Sequence, residues 1–86
     1  MVTVMFFARL KEQLGCAQVA LDVAQFNDDN ICIKTIITHL CTQHPQWTEW
    51  LLASDVLAAV NQTICDQTTR VSDGDEVAFF PPVTGG

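Results

Sequence analysis

Apolar residues in the first quarter of the chain follow the periodicity of β-strands. Residues 2–8 carry apolar side chains on both alternating faces, which predicts a strand with large apolar groups on each side. Residues 17–23 alternate apolar with polar or small side chains, which predicts a half-buried strand. We expect these strands to form a hairpin around a short helix over residues 9–14, which Gly15 should close.

Three further strands are predicted near the C-terminus. Residues 56–60 are apolar throughout, which is typical of a strand buried on both faces. Asn61-Gln62 should turn this strand into a short one over residues 63–65. After a polar loop, the apolar run over residues 76–80 has the length and composition of a last strand.

Between the two sets of strands, apolar residues recur every three or four positions over residues 31–43. This spacing predicts the main helix, with one buried stripe. A strand over residues 31–37 is the alternative, because isoleucine and threonine are poor helix formers. Asp28, Asp29 or Asn30 should cap the helix, which would place negative charge at its positive end.

A second helical segment should begin at Pro45, because proline is favoured in the first turn of a helix. Its apolar side chains at helical spacing should face the core; they are Trp47, Trp50 and Leu51. The two tryptophans favour core packing, and a binding platform is the alternative.

The chain is acidic, with a formal net charge of −6 and only four basic residues. Nucleic-acid binding needs a basic patch that neutralises phosphates, so this composition argues against it. A hydrophobic content of 49% is ample for a globular domain, and no apolar run approaches membrane-spanning length. We therefore expect one folded domain without a nucleic-acid or membrane partner.

The candidate chemical groups are few. The four cysteines form no C-x-x-C pair and lie in no tight pattern with His39 or His44, so no metal site is predicted. Met1 leads directly into an apolar strand without the basic segment of a signal peptide, so we expect a cytoplasmic protein with reduced thiols. Because no catalytic constellation is visible, the catalysts of any reaction at this chain should come from another protein.

The C-terminal segment DGDEVAFFPPVTGG, residues 73–86, is the most informative part of the chain. Pro81-Pro82 should end the last strand, because proline cannot donate to a sheet ladder. The sequence then finishes with Val83, Thr84, Gly85 and Gly86. An ordinary disordered end is one interpretation. The other is that the carboxylate of Gly86 is the working group, because glycine has no Cβ to shield its carbonyl.

Three segments carry a family resemblance: DGDEVAFFPPVTGG at residues 73–86, LAAVNQT at residues 57–63 and VMFFARLKEQLG at residues 4–15. They resemble the small subunits of molybdopterin synthase, the MoaD-type sulfur carriers of the MoaD/ThiS ubiquitin-like family. The resemblance implies an α+β fold, with a single ubiquitin-like β-grasp domain over residues 1–80 and an extended Gly-Gly tail over residues 81–86. Its mixed sheet should pack on one main helix, with short extra helices. The largely buried residues should include Val2, Val4, Phe6, Leu21, Ile33, Ile36, Leu40, Val60 and Val77.

The resemblance also implies a reaction cycle for Gly86. An ATP-dependent, E1-like activating enzyme adenylates this residue, and sulfur then replaces AMP to give a thiocarboxylate. The tail enters the large subunit of the synthase and donates sulfur to cyclic pyranopterin monophosphate. Two such transfers form the dithiolene of molybdopterin, in molybdenum cofactor biosynthesis. The chain itself should hold no tightly bound cofactor, because ATP is used by the activating enzyme.

The same resemblance implies a surface for the large subunit. In a β-grasp fold the first and last strands are neighbours, so one sheet face stays uncovered by the helix. Phe7 and Phe80 should share that face, and the resemblance adds Ile64. A monomer rarely leaves so much apolar area in water, unless a loop or the segment of Trp47 and Trp50 covers it.

Other functions share this fold and Gly-Gly end. The runner-up is a sulfur carrier for thiazole synthesis or tRNA thiolation, or a ubiquitin-like modifier. The PPVTGG ending and the AVNQT segment favour the molybdopterin pathway. A third possibility is a non-catalytic interaction module that docks through its apolar sheet face without any chemistry at the tail.

Overall fold

A computed structural model describes residues 1–26, 30–53 and 56–81. Within these ranges the strands are β1 (Val2–Phe6), β2 (Gln18–Leu21), β3 (Leu57–Val60), β4 (Thr63–Cys65) and β5 (Glu76–Phe80). The helices are α1 (Ala8–Leu14), α2 (Ile33–Gln43) and α3 (Thr48–Leu51), with 3₁₀ turns at Val23–Gln25 and Pro45–Trp47. The strands form a single sheet in the order β2-β1-β5-β3-β4.

The sheet is mixed, as predicted. β1 and β5 run parallel at its centre, and the other neighbouring strands run antiparallel. The parallel pair is the first and last strand of the chain, so a crossover that contains α1, α2 and the β3–β4 hairpin must lie between them. This arrangement confirms the predicted β-grasp fold.

Alternation along β1 and β5 decides which sheet face becomes the core. Every second side chain of these strands is buried and packs in one cluster with the apolar stripe of α2. The members from the two strands and the helix are Val2, Val4, Phe6, Val77, Phe79, Ile33, Ile36, Ile37 and Leu40. Strand periodicity and helix periodicity therefore converge on the same interior, as the sequence predicted.

Val60 departs from the predicted core. It is only half-buried, whereas the other eight residues predicted to be buried are buried. Val60 is the last residue of β3, directly before the exposed turn at Asn61, and its partner on the edge strand is Thr63. Its position at the strand end leaves one side of the side chain accessible to water.

The N-terminus of α2 also differs from the prediction. The residue that precedes the helix is Cys32, not Asn30, while Asp28 and Asp29 lie outside the described residues. Cys32 is held by an isolated bridge to Arg70, which keeps the chain extended up to the first helical residue. A cap at any of the three polar residues would start the helix earlier in the chain, whereas α2 begins at Ile33.

The carbonyl groups of a neighbouring loop replace an acidic cap. The backbone N–H groups of Ile33 and Lys34 donate to the carbonyl oxygens of Thr69 and Gln67, at 3.1 and 3.0 Å. These donors are among the four that a helix leaves without an internal partner. Packing against the 66–72 loop therefore explains why residues 31–37 did not need strong helix propensity, and why the alternative strand was wrong.

The shorter elements match the prediction with small changes at their ends. α1 is closed by Gly15, whose φ of 67° is the left-handed conformation that favours glycine. β1 ends at Phe6 and β2 at Leu21, which makes both strands shorter than predicted. Asp22 ends β2 because its carboxylate accepts a hydrogen bond from the N–H of Ala24 at 3.0 Å.

The tryptophans belong to the core rather than to a binding platform. Trp47 is buried and meets the ring of Phe6 edge to face, with centroids 5.4 Å apart. Leu51 is buried as well, and Trp50 is half-buried against the cluster. The segment after Pro45 therefore packs on the core side of the sheet, so it leaves the opposite face free.

Candidate functional site

An apolar row crosses the sheet on the face opposite the core. We call this side the outer face. Met5 of β1 pairs with Ala78 of β5, Ala78 with Ala59 of β3, and Ala59 with Ile64 of β4. Ala59 is 5% exposed but does not belong to the core cluster, so the side chains around it on the outer face bury it. The outer face is therefore an apolar surface with small residues at its centre.

Phe80 and Phe7 lie at one end of this face. Phe80 pairs with Leu57 across the β3–β5 ladder, and both side chains are half-buried. The N–H of Phe7 donates to the carbonyl oxygen of Phe79 at 3.1 Å, which continues the β1–β5 ladder by one residue. Since Phe6 faces the core, the next side chain, Phe7, falls on the outer face beside Phe80, and it remains 43% exposed.

Ile64 lies at the opposite edge of the outer face. It is in the edge strand β4 and is 66% exposed, the most exposed large apolar side chain among the described residues. Three strand intervals separate β4 from β1, so Ile64 and Phe7 bracket a surface roughly 14 Å wide. The structure therefore brings all three predicted interface residues onto one face, and Trp47 and Trp50 do not cover it.

The last described residue, Pro81, follows β5 at the end of the sheet where Phe7 and Phe80 lie. It is half-buried and lines a surface cavity of about 290 Å³ together with Arg9 and Trp50. The remaining tail residues of the prediction are Pro82, Val83, Thr84, Gly85 and Gly86, which lie outside the described residues. The chain thus leaves the sheet next to the apolar outer face.

The opposite end of the sheet contains a polar clasp that the sequence prediction missed. Asn61 donates its backbone N–H to the carbonyl oxygen of Glu76 at 2.8 Å, and its side-chain oxygen accepts the N–H of Glu76 at 3.0 Å. Its side-chain amide also donates to Asp75 at 3.1 Å. The sequence predicted the turn at Asn61 but not these contacts, which join residues distant in the chain.

Asp75 is stabilised in its charged form by this clasp. The backbone N–H of Ser72 donates to its carboxylate at 2.8 Å, and the Asn61 amide donates to its other oxygen. These hydrogen bonds, that from Ser72 first, lower the pKa of Asp75 below its ordinary value. The clasp and Pro81 lie at opposite ends of β5, so the role of the clasp is to hold the β3–β4 hairpin against β5.

The other reactive groups do not form a catalytic site. The hydroxyl of Thr35, 3.3 Å from the Cys32 sulfur, is the main cause of a lowered pKa of that thiol. His39 packs against Phe26, with ring centroids 4.7 Å apart. Among residues 1–26, 30–53 and 56–81, no group of three histidine, cysteine or acidic side chains is arranged to hold a metal ion. In the same part of the chain, no helix is both long and apolar enough to cross a membrane.

Comparison with known proteins links this geometry to a family. The ThiS family matches residues 4–86 of the chain. The chain is 38% identical to the molybdopterin synthase sulfur carrier subunit of Haemophilus influenzae and 40% identical to that of Escherichia coli. Each of these matches spans 86 residues and the whole length of both proteins.

Two solved structures show the same fold. SAMP1 from Haloferax volcanii superposes with a TM-score of 0.77 at 26% identity, covering 99% of this chain and 98% of that one. A chain in a complex of subunits 1 and 2 of molybdopterin-converting factor from Helicobacter pylori superposes with a TM-score of 0.66. It is 26% identical, and the match covers 99% of this chain and 97% of that chain. The chain therefore belongs to the ThiS family, together with the molybdopterin synthase sulfur carrier subunits.

Proposed function

We propose that this chain is the sulfur-carrier subunit of a molybdopterin synthase and that Gly86 carries the sulfur. The observation that supports this most strongly is the extent of the likeness to sulfur carrier subunits. It spans every residue of both chains, so it includes the Gly-Gly end. The apolar outer face next to the start of the tail is the second support, because it suits a subunit that docks and then presents its terminus.

The tail is proposed to be an extended segment over residues 81–86, outside a domain formed by residues 1–80. Fully extended in a polyproline conformation, six residues span about 19 Å, which is enough to enter a partner's active site. Pro81 and Pro82 would keep the segment from pairing at a sheet edge. Val83 and Thr84 continue it, and Gly85 and Gly86 would pass through a channel too narrow for side chains.

The chemistry at Gly86 follows from the properties of a carboxylate. A carboxylate is a poor electrophile, so an activating enzyme joins it to AMP from ATP and releases pyrophosphate. A sulfur nucleophile then displaces AMP and leaves a thiocarboxylate. This group is a soft, tethered anion that delivers sulfur to a cyclic pyranopterin without releasing free sulfide, and water restores the carboxylate. ATP belongs to the activating enzyme, so this chain needs no tightly bound cofactor.

The large subunit is proposed to bind the outer face. The Helicobacter pylori structure contains subunits 1 and 2 of molybdopterin-converting factor in one complex, and this chain resembles one chain of that complex. Phe7, Phe80 and Ile64 would form the central contacts, since exposed aromatic and aliphatic side chains commonly dominate binding energy. The catalytic groups would belong to the large subunit and the pterin precursor would be reached there.

A cytoplasmic location is part of the proposal. All four cysteines are unpaired in the structure, which suits a reducing compartment. The activating enzyme and ATP would be found in the same compartment.

A second candidate function is protein modification. It is favoured by the likeness to SAMP1, which is a small archaeal modifier protein. In that function the adenylated Gly86 would pass to a lysine amine of another protein instead of to sulfur. The fold and the activation step are common to both functions, so the acceptor of the acyl group distinguishes them.

Intact-mass measurement after activation tests the proposal. The chain is incubated with an activating enzyme, ATP and a sulfur donor, and a variant lacking Gly86 is treated in parallel. We expect a mass gain equal to the exchange of one oxygen for one sulfur in the full chain, and no gain in the variant. Conjugates of the whole chain with lysine side chains would favour the modifier function, and an unchanged mass would contradict both.

A further inference from the structure

Ala8 adopts a backbone conformation that is rare for its residue type. Its φ is 54°, in the left-handed region that L-residues with a Cβ seldom occupy. It is the first residue of α1, and the residue before it, Phe7, is fully extended with φ −122° and ψ 158°. The chain therefore changes from strand to helix within a single residue.

Two hydrogen bonds hold this abrupt change in place. On the strand side, the N–H of Phe7 donates to the carbonyl oxygen of Phe79 at 3.1 Å. On the helix side, the carbonyl oxygen of Phe7 accepts the N–H of Lys11 at 3.3 Å. Phe7 thus belongs to the β1–β5 ladder and to the first turn of α1 together, and Ala8 must accommodate both.

The consequence is that neighbouring side chains go to opposite sides of the sheet. Phe7 remains 43% exposed at the end of the outer face, whereas Leu10, three residues later in α1, is 2% exposed in the core. The change of backbone direction at Ala8 lies between the exposed Phe7 and the helix that packs on the core side. Ala8 itself is exposed, so its side chain makes no packing contribution that would explain the strained conformation.

We propose that Ala8 is a positioning residue for partner docking, whose left-handed backbone fixes the ring of Phe7 on the outer face beside Phe80. The inference rests on the proposed function, because it requires the outer face to bind the large subunit. Its physical basis is preorganisation: a ring that is already oriented loses less conformational freedom on binding. A residue unable to adopt positive φ would move Phe7 away from this orientation.

The test is a double-mutant cycle that combines Ala8→Val with Phe7→Ala. Valine is β-branched and strongly disfavours positive φ, so Ala8→Val should turn the Phe7 ring away. Binding to a molybdopterin synthase large subunit is measured by calorimetry for the wild type, both single variants and the double variant. Ala24→Val is the matched control, because Ala24 is also exposed but its φ is not positive and it lies away from the outer face.

We expect Ala8→Val to raise the Kd about tenfold when Phe7 is present and less than about twofold when Phe7 is already alanine. Ala24→Val should leave the Kd unchanged. An equal effect of Ala8→Val in both backgrounds would mean that it only perturbs the fold, and would overturn the positioning role. An unchanged Kd for Phe7→Ala would also overturn the positioning role, because it would show that the Phe7 ring makes no docking contact.

A semisynthetic chain provides a second test, which does not depend on whether the Ala8→Val variant folds. A peptide thioester of residues 1–15, ending at Gly15, is ligated to a chain that begins at Cys16, and Ala8 is replaced by D-alanine. Because D-alanine favours positive φ, this chain should bind the large subunit at least as tightly as the wild type. Weaker binding by a correctly folded D-alanine chain would overturn the inference.

Discussion

Ile64 lies directly opposite Ala59 in the pairing of β3 with β4, and its side chain stands on the outer face with 66% of its surface exposed. Because the side chain of Ala59 is a single methyl group, it leaves room beside Ile64 for a partner's side chain. The same face ends in Phe7 and Phe80, next to the position where the tail leaves the sheet. Docking through these three residues would therefore place the tail beside the bound partner.

The first prediction concerns this surface. Phe7→Ala, Phe80→Ala and Ile64→Ala should each weaken large-subunit binding, and the aromatic variants by about 2 kcal/mol or more, as hot-spot aromatics do. Calorimetry measures the binding, and circular dichroism verifies the fold. Leu52→Ala is the matched control, because Leu52 is 57% exposed but directly follows α3 rather than belonging to the outer face. Retained affinity in all three variants would exclude this surface.

The second prediction concerns the β3–β4 turn. Asn61 and Gln62 have φ values of 49° and 70°, which is the combination of a type I′ hairpin turn. Glycine at the second position would relieve the strain of Gln62, so Gln62→Gly should raise the free energy of unfolding by about 0.5–1 kcal/mol. Urea denaturation measures this free energy of unfolding. Gln67→Gly is the control, because Gln67 is in a turn but has an ordinary φ. Glycine at this position should lower the free energy of unfolding.

The third prediction concerns the acid sensitivity of the fold. The clasp lowers the pKa of Asp75, so its charged form stabilises the folded state. This contribution is fully present above the unfolded pKa and is lost as the pH falls through the lower, folded pKa. Asp75→Asn should therefore flatten the loss of stability that occurs as the pH falls below the ordinary pKa of an aspartate. Glu49→Gln removes one charge without touching the clasp; a profile for Asp75→Asn that matches it would contradict the role of the clasp.

A fourth prediction concerns thiol reactivity. All four cysteines are half-buried, and the neighbouring hydroxyl of Thr35 lowers the pKa of Cys32. Because the thiolate is the reactive form, iodoacetamide at neutral pH should modify Cys32 first. Peptide mapping of partly alkylated protein identifies the site. Thr35→Val should slow the reaction at Cys32 but not at Cys41, and equal rates at all four thiols would show that the hydroxyl has no such effect.

Local periodicity was sufficient to predict most of the strands and helices. The stripe of α2 and the apolar runs of β1 and β5 are properties of neighbouring residues, and they identified the elements and nearly all of the predicted core. Cys32 and Thr35 form a local capping box, but the contacts of the first helical residues of α2 could not be predicted in this way. Its first N–H groups are satisfied by carbonyl groups of Thr69 and Gln67, more than thirty residues away in the chain, and no local pattern indicates such a contact.

The candidate site also combines features that the sequence predicted with one that it did not. The family resemblance made β1 and β5 neighbours, and alternation along the two strands then predicted that Phe7 and Phe80 share one face. The left-handed backbone of Ala8 was not predicted, because residues with a Cβ seldom adopt that conformation and alanine strongly favours an ordinary helix. The strain accompanies two hydrogen bonds of the preceding residue Phe7, one across the sheet to Phe79 and one with Lys11 in the first turn of α1.

The tail itself gives a fifth prediction, which separates docking from transfer. Gly85→Ala should reduce sulfur transfer more than it reduces large-subunit binding, because a Cβ would narrow the passage of the tail while the outer face is unchanged. Binding by calorimetry and transfer by single-turnover assay are measured on the same preparation. Thr84→Ala is the control for a small change in the tail. An equal loss of binding and transfer would place Gly85 in the docking contact instead.

The central claim is that Gly86 delivers the sulfur. The most direct measurement is the conversion of the pterin precursor by the large subunit, with chemically thiocarboxylated chain as the only sulfur source. We predict that molybdopterin forms while the full chain loses its sulfur, and that a variant lacking Gly86 binds the large subunit normally but yields no product. Full conversion with the variant lacking Gly86, or no loss of sulfur from the thiocarboxylated chain, would contradict the claim.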